Sequence, residues 1–278
     1  VENEDNFKKS SSVFGWRAGE FVPFSDQIHF LTVGKKNDTK NQLLQAIIEP
    51  AGTLNQWKNI ITPAWTASSV LRLSMAVTLA SVLLIKTTDD KKGHLDDETQ
   101  RHNDIGFFYS LHGFTHTGKT KIQKLSASLI GNPSKMIGSF LTTFNNFNSR
   151  AELFNHLPFL MDETQHLITK QKQEKQGLYF DDFVYSFTGS IDKGRNDVDG
   201  MRPVGNWCNI CFATGENAMR DMCKENGAKA RIIDIQVEEK QFSSEVYAGL
   251  KPILDCHCYG HVLPLFVEAI QDGWNFQE

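Results

Sequence analysis

The chain has 278 residues, of which 40% are apolar and 22% charged, and its formal net charge is −4. This length and composition are typical of one large globular domain or two ordinary ones, and they exclude a disordered or fibrous protein. The slight negative charge excludes a protein that coats nucleic acid irrespective of sequence, but it does not exclude a local basic patch. Five cysteines, an odd number, do not indicate a disulfide framework, which favours a reducing cytoplasmic location.

The N-terminal sequence VENEDNFKKSSS lacks the apolar core of a signal peptide. Because the chain does not begin with Met, we expect it to be part of a longer protein. The most apolar stretch, residues 70–85, contains Arg72, so its uncharged part is only residues 73–85. Crossing a bilayer takes about 20 residues. We therefore predict a buried helix that ends near Ile85, and no membrane partner.

Residues 1–104 are predicted to form a smaller accessory portion of short strands followed by helices. Residues 1–12 are polar and are expected to fray, whereas residues 14–31 contain short apolar runs broken by glycine and proline, which predicts short strands with turns. Residues 35–41 predict a loop. Thr53 is expected to cap a helix that Pro63 ends.

A charged linker is predicted at residues 87–104, and from residue 105 onward apolar runs alternate with helix-like segments. Strands are predicted at 105–111, 140–147, 157–161, 207–213 and 230–235, and helices at 119–129, 180–187 and 261–270. A capping box at Ser149–Glu152 predicts another helix start, and residues 190–203, rich in glycine and charge, predict a hairpin or loop. The alternation predicts an α/β core with a mostly parallel sheet over residues 105–278.

The strongest motif is G-x-x-x-x-G-K-T at residues 113–120, hereafter the glycine loop, which lies between a predicted strand and a predicted helix. In this motif backbone N–H groups surround phosphate oxygens, and the following helix adds its positive N-terminus. Lys119 is expected to reach the β- and γ-phosphates, and Thr120 to bind Mg²⁺. The nucleotide-binding residues are then Gly113, Phe114, Thr115, His116, Thr117, Gly118, Lys119 and Thr120.

A pair of carboxylates, Asp162 and Glu163, follows the predicted strand 157–161. Ligands of α/β sheets bind at the carboxyl ends of strands. We therefore expect Asp162 to hold Mg²⁺ and Glu163 to activate the attacking water. Together with the glycine loop, the pair predicts a nucleotide hydrolase with a P-loop core.

The order of these motifs resembles the P-loop ATPase domain catalogued as domain-of-unknown-function family 927, found in phage and mobile-element replication proteins, including helicases similar to the MCM group of the AAA+ class. The resemblance covers most of the chain. It rests on Gly15-Trp16-Arg17, Phe21-Val22, Gly52-Thr53-Leu54, Trp57, Leu111-His112-Gly113, Thr117–Thr120, Leu157-Pro158, Asp162-Glu163-Thr164, Gly189, Lys193-Gly194-Arg195, Trp207, Thr214-Gly215-Glu216, Arg231 and Asp234-Ile235. It implies a P-loop NTPase core of the AAA+/RecA-like kind. It also implies an ATP-hydrolysing, Mg²⁺-dependent motor domain of a DNA helicase, assembled as a homo-oligomer, expected to be a hexamer, on single-stranded or forked DNA.

The resemblance also implies roles for residues outside the two motifs. Thr214 is expected to sense the γ-phosphate and orient water, although a strand-end hydroxyl can equally bond the next turn. Lys193 and Arg195 are expected to contact DNA phosphates from the 190–203 hairpin, or else to lie on a solvated turn. Arg195, Arg202 or Arg231 is expected to reach the ATP of a neighbouring subunit, and Arg231 can instead pair with Asp234. Family members carry small residues where this chain has Phe114 and His116.

Two other functions fit parts of the pattern. A nucleotide-gated switch or scaffold would bind ATP without unwinding DNA. A small-molecule kinase would need an acceptor pocket and basic lid residues, and the Asp-Glu pair disfavours it. Cys208-x-x-Cys211 resembles a zinc motif, but residues three apart on a strand point to opposite faces, so we expect buried thiols.

Overall fold

The computed structural model describes residues 9–31, 39–88, 106–167, 180–189, 196–197, 200–201 and 206–273. The strands of this part are β1 (Lys9–Ser11), β2 (Gly15–Arg17), β3 (Glu20–Val22), β4 (Ile28–Phe30), β5 (Phe107–His112), β6 (Gly138–Ser139), β7 (Phe159–Asp162), β8 (Asn196–Asp197), β9 (Gly200–Met201), β10 (Ile210–Gly215) and β11 (Ile232–Gln236). Its helices are α1 (Thr39–Ile48), α2 (Leu54–Ala67), α3 (Ser69–Thr88), α4 (Lys119–Ala127), α5 (Pro133–Met136), α6 (Phe144–Leu153), α7 (Phe180–Thr188), α8 (Met219–Met222), α9 (Asn226–Ala230), α10 (Ser244–Gly249), α11 (Lys251–Leu254) and α12 (Val262–Gln271).

The centre of the molecule is a five-stranded sheet in the order β11-β5-β10-β7-β6, in which all neighbouring strands are parallel. Every residue of β10 is buried, as expected for a central strand of a parallel sheet covered on both faces. The predicted α/β core with a parallel sheet is therefore confirmed, and its strands lie close to the predicted ones, except for the one predicted at 140–147.

Helices cover both faces of the sheet. On one face, the Tyr109 hydroxyl of β5 lies 2.9 Å from the Ser74 hydroxyl of α3, and α4 packs between α3 and β10. On the other face, Phe108 contacts the rings of Phe183 and Phe187 in α7. Because successive side chains of a strand point to opposite faces, this alternation in β5 places α3 and α7 on opposite sides of the sheet. The result is a three-layer α/β/α core.

The long apolar helix predicted to end near Ile85 is confirmed as α3. Its polar residues Ser74, Thr78 and Ser81 are buried. The Ser81 hydroxyl accepts a hydrogen bond from the Ile210 N–H at the start of β10. The protein therefore buries these hydroxyl-bearing side chains of α3 as well as its apolar ones. Within the described residues, no helix has both the length and the apolarity needed to cross a bilayer.

The short strands predicted between residues 14 and 31 are confirmed, and they pack on the core. The indole N–H of Trp16 donates to the Val82 carbonyl of α3, and the backbone N–H of Trp16 donates to His156 Nδ1. Gly15 has φ = 100°, and a Cβ there would lie 2.3 Å from the Asn155 carbonyl oxygen, so only glycine fits this contact. Fraying of residues 9–11 was a wrong expectation, because they pair with β4 as β1.

Other boundary predictions are wrong. The predicted loop at 35–41 overlaps the start of α1 at Thr39. Pro63 does not end α2, because it lies on the exposed side, while Trp57, Ile61 and Ala64 hold the helix against the core on both sides of it. The predicted cap at Thr53 is confirmed, with Gln56 completing a capping box.

The strand predicted at 140–147 is wrong, because residues 144–147 begin helix α6 and residues 140–143 are neither strand nor helix. Thr143 caps α6 by accepting a hydrogen bond from the Asn146 N–H, so the capping box predicted at Ser149–Glu152 lies inside the helix rather than at its start. Within α6, Phe144 and Phe147 are three residues apart, which is helical spacing and not the alternation of a strand.

The hairpin predicted at 190–203 is confirmed where the structure describes it. Asn196 pairs with Met201 and Asp197 with Gly200, both antiparallel. Residues 190–195, 198–199 and 202–205 lie outside the described residues.

Candidate functional site

The site is built at the carboxyl edge of the parallel sheet. Because β5, β7, β10 and β11 all run in the same direction, the residues that follow them meet at one edge. His112 of β5 is in register with Gly215 of β10 and Gln236 of β11, and Ala213 with Met161 of β7. This is the edge at which α/β sheets bind ligands.

The glycine loop begins where β5 ends, and the first glycine is required there. Gly113 has φ = 136°, and a Cβ at this position would lie 2.5 Å from the Val237 carbonyl oxygen. The Gly113 N–H donates to the Glu216 carbonyl at the end of β10. The start of the loop is therefore held between the strands on either side of β5.

The rest of the loop closes onto the N-terminus of α4. The Thr117 hydroxyl is buried and donates to the Phe114 carbonyl, and Gly118 has φ = 108° as the residue before the helix. His116 also has a positive φ of 67°, and the Phe114 side chain is 80% exposed. Phe114 and His116 thus occupy the loop without filling its interior. Thr115 and Thr120 are exposed as well.

The ammonium group of Lys119 lies inside this loop. Its Nζ donates to the carbonyl oxygens of Gly113 (2.8 Å) and Phe114 (2.6 Å). Burial lowers the pKa of Lys119 below its ordinary value, and the carboxylates of Glu216 and Asp162 oppose that shift. One cation and two anions are therefore close enough to influence each other at the sheet edge.

Asp162 and Thr214 are in direct contact. The Thr214 hydroxyl, which is 1% exposed, donates to Asp162 Oδ1, and the same oxygen accepts the Glu163 N–H at 2.9 Å. The Thr164 N–H donates to the Thr214 carbonyl at 2.9 Å, and a Cβ at Gly215 would collide with the Thr164 hydroxyl. The ends of β7 and β10 are thus locked together, and Asp162 has a fixed orientation.

Glu163 points to a different partner. Its φ is 66°, its side chain is 57% exposed, and its Oε2 lies 2.6 Å from Nε2 of His166. The two residues therefore form a partly exposed pair beside Asp162.

Three residues that were not assigned roles from the sequence contribute to the site. Gln123 of α4 is fully buried, and its Nε2 donates to the carbonyls of Met161 (3.0 Å) and Phe212 (2.9 Å), which ties the helix to β7 and β10. The carboxylate of Glu216 acts electrostatically on Lys119, and His166 contacts the carboxylate of Glu163. Glu216 could have been found as the acidic residue directly after Thr214-Gly215, and His166 as a histidine one helical turn after Glu163.

Of the arginines predicted to act on a neighbouring ATP, Arg231 lies in the described part of the chain, and it is not at this edge. Arg231 precedes β11, and its carbonyl accepts the Phe108 N–H at the opposite, amino edge of the sheet. Its guanidinium donates to the Gly227 carbonyl and lies 5.0 Å from the Tyr185 ring centroid. Asp234 accepts the N–H groups of Met219 and Arg220. Lys193, Arg195 and Arg202 lie outside the described residues.

The two cysteines of the C-x-x-C motif are buried in the core, not on a turn. Burial raises the pKa of Cys208 to about 12 and that of Cys211 well above its ordinary value. Thiols in this state stay protonated and act as small apolar side chains.

With this geometry established, comparison with known proteins identifies the family. A family model described as Domain of unknown function (DUF927) matches residues 4–202. The chain belongs to this family. The match includes the glycine loop, Asp162 and Glu163, whereas Thr214 and Glu216 lie beyond the matched residues. No curated protein sequence matches the chain.

Among solved structures, the chain is similar to "SCCmec type IV Cch - active helicase", with 22% identity, a TM-score of 0.58, and coverage of 80% of this chain and 38% of that one. The chain therefore spans less than half the length of that protein. A JCV helicase structure matches with 12% identity, a TM-score of 0.40, and coverage of 78% of this chain and 54% of that one. The first likeness, with the parallel sheet, shows an α/β fold of the P-loop NTPase kind.

Proposed function

We propose that the chain is an ATP-binding and ATP-hydrolysing motor domain of a DNA helicase that replicates a phage or another mobile genetic element. The observation that carries the proposal is the meeting of Lys119, Asp162 and Thr214 at the carboxyl ends of three adjacent parallel strands. A cationic amine, a carboxylate and a hydroxyl donor at one sheet edge are the groups that phosphoryl transfer requires.

In this proposal the glycine loop binds the phosphates. The N–H groups at the start of α4 and the Lys119 ammonium supply positive charge, and Lys119 exchanges the carbonyls of Gly113 and Phe114 for phosphate oxygens. Exchanging a neutral acceptor for an anionic one strengthens the hydrogen bond.

The donor set at the site fits Mg²⁺. The Thr120 hydroxyl is exposed in the first turn of α4, and the Asp162 carboxylate is fixed at the end of β7 by Thr214 and the Glu163 N–H. Both supply the hard oxygen ligands that Mg²⁺ prefers. When bound, the ion would neutralise charge on the β- and γ-phosphates. In this proposal the Thr214 hydroxyl orients the Asp162 carboxylate and senses the γ-phosphate.

Glu163 is the proposed general base. Its carboxylate is paired with His166, so it must leave that partner to accept a proton from the attacking water. His166 therefore competes with the attacking water for the Glu163 carboxylate.

Action on DNA and assembly rest on family membership and on the helicase that shares this fold. We propose a homo-oligomer of the AAA+, MCM-like type, expected to be hexameric, on single-stranded or forked DNA. Lys193 and Arg195 would contact DNA phosphates from the hairpin that contains β8 and β9. One of Arg195, Arg202 and Arg231 would reach the ATP of a neighbouring subunit.

The deciding experiment measures ATP hydrolysis by the full-length oligomer with and without single-stranded DNA. Lys119→Ala should lower the rate by about 10²–10³-fold, because it removes a charge that stabilises the transition state. Lys124→Ala, a lysine near the other end of α4, is the matched control and should leave the rate unchanged. Absence of hydrolysis by the unmodified protein would contradict the proposal. ATP binding without hydrolysis or strand separation would instead support a nucleotide-gated switch or scaffold.

A further inference from the structure

A cavity of about 280 Å³ adjoins the glycine loop on the side where the chain continues from β11. Three of its lining residues belong to the loop, and the others come from α4, from the segment between β11 and α10, and from α10 itself. They are His116, Thr117, Gly118, Lys121, Lys240, Gln241, Phe242, Ser244 and Tyr247. The loop and the cavity therefore form one continuous surface.

The wall opposite the loop is held in place by hydrogen bonds. The Val237 N–H donates to the His112 carbonyl at 2.8 Å, and the Gln241 N–H donates to the Thr117 carbonyl at 3.2 Å. The Gln241 side chain accepts from the Ser68 hydroxyl at 2.8 Å. The segment that follows β11 is thus attached both to the glycine loop and to the junction of α2 and α3.

Aromatic rings and amines line the cavity together. The Phe242 ring lies next to Gly118, about 4.0 Å from the position of a Cβ there. The Tyr247 ring is 37% exposed, and the Lys121 ammonium lies 3.8 Å from its centroid. A nucleobase can stack on this electron-rich face when the Lys121 ammonium moves off it to bond the base.

We infer that this cavity binds the base and ribose of the nucleotide whose phosphates lie in the glycine loop, with Tyr247 as the stacking ring. The inference rests on the proposed function. The cavity volume of about 280 Å³ lies just below the roughly 300–1,000 Å³ typical of ligand pockets, which suits part of a nucleotide. Lys121, directly after Thr120, and Lys240 can donate to ring nitrogens of the adenine, and the Ser244 hydroxyl can bond the ribose.

Two lysines would also suit the backbone phosphates of nucleic acid. The nucleoside is favoured because three loop residues line the cavity, so a nucleoside in the cavity would adjoin phosphates held by the loop. A nucleic acid strand crossing the same space would have to displace that nucleotide.

The test compares Mg-ATP with inorganic tripolyphosphate, which has the phosphates but no nucleoside. Affinities are measured by calorimetry for the unmodified chain, Tyr247→Leu and Tyr247→Phe. The unmodified chain should prefer ATP, and Tyr247→Leu should weaken ATP binding about tenfold while leaving tripolyphosphate binding unchanged. Tyr247→Phe keeps the ring and should retain much more of the preference. Trp65→Leu, an exposed aromatic of α2 outside the cavity, is the matched control and should change neither affinity.

The outcomes separate the two proposals. Failure of the unmodified chain to bind either ligand would overturn the proposed function. Equal affinity for ATP and tripolyphosphate, or equal weakening of both by Tyr247→Leu, would overturn the nucleoside site and leave the glycine loop's role standing. A single-stranded oligonucleotide is titrated in parallel. Loss of oligonucleotide binding in Tyr247→Leu with ATP binding unchanged would assign the cavity to nucleic acid and overturn the inference. Unchanged tripolyphosphate binding by the variant also shows that it is folded.

Discussion

At the scale of single residues, the charge state of Lys119 depends on its neighbours. Burial lowers its pKa, and the carboxylate of Glu216 is the larger of the two influences that raise it. The ammonium form binds phosphate, so affinity falls as the pH rises through this pKa. The pH at which binding weakens therefore reports on the groups around Lys119.

Glu216→Gln removes the larger of these two raising influences, so the pKa of Lys119 should fall further. The alkaline loss of tripolyphosphate affinity should then begin at a lower pH than in the unmodified chain. Calorimetric titration between about pH 7 and pH 10 measures the shift. Glu268→Gln, an exposed carboxylate of α12, is the control and should not move the profile. A profile shifted to higher pH would contradict the assignment of Glu216.

Thr214→Val keeps the shape of the side chain but removes the hydroxyl that donates to Asp162. Because the carboxylate then loses its fixed orientation, we expect ATP hydrolysis to slow about tenfold. ATP affinity should change by less than about threefold, since phosphate binding rests on the glycine loop. Steady-state kinetics separate the two effects.

Thr214→Ser retains the hydroxyl and should remain close to the unmodified rate. If Thr214→Val hydrolysed ATP as fast as Thr214→Ser, the hydroxyl would be no more than a structural contact between the strand ends.

The sequence predicts a residue well when its role is local and less well when its partner is distant along the chain. The positions of Lys119 and Asp162 near the carboxyl edge of the sheet could be predicted, because a short motif and a strand end define them. The contact of Gln123 with Met161 and Phe212 could not, because a glutamine in an amphipathic helix looks solvent-exposed until the sheet beneath it is known. The pair of Lys121 and Tyr247 depends on how the chain after β11 returns to α4.

At the scale of elements, most strands were predictable because buried parallel strands are continuous apolar runs. The error at 140–147 has a physical cause. Over so few residues, its phenylalanines fit both the apolar run of a buried strand and the period of a helix. Packing of these rings against the sheet favours the helix. Phe147 contacts Phe159 of β7 and both Phe183 and Phe187 of α7, an arrangement that places α6 across the sheet face.

The position of α4 on the sheet should depend on Gln123. Gln123→Ala removes both hydrogen bonds to the strand carbonyls and leaves a gap, so we expect the free energy of unfolding to fall by about 2 kcal/mol. Denaturant unfolding measures it. Gln45→Ala, an exposed glutamine of α1, should have an effect within about 0.5 kcal/mol of zero. Equal effects of the two substitutions would show that α4 does not need this contact.

At the scale of the whole molecule, the accessory portion and the predicted ATPase core share one hydrophobic core. Leu71, Met75 and Val82 of α3 are each at most 2% exposed and belong to the same cluster as Tyr109 and Phe212 of the sheet. The predicted division at residues 104 and 105 therefore separates two portions that cover each other, and the long helix forms one layer of the α/β/α core.

A fragment of residues 106–278 should not fold alone. Removing α3 takes away three fully buried apolar side chains worth about 1.5–3 kcal/mol each. Their sum is comparable to the roughly 5–15 kcal/mol of a typical domain. It also exposes Tyr109 and the sheet face beneath α3. We expect the fragment to lack the cooperative thermal transition of residues 9–278. A fragment with an equal transition temperature would show that the division marks two independent domains, with α3 docked on a core that is stable without it.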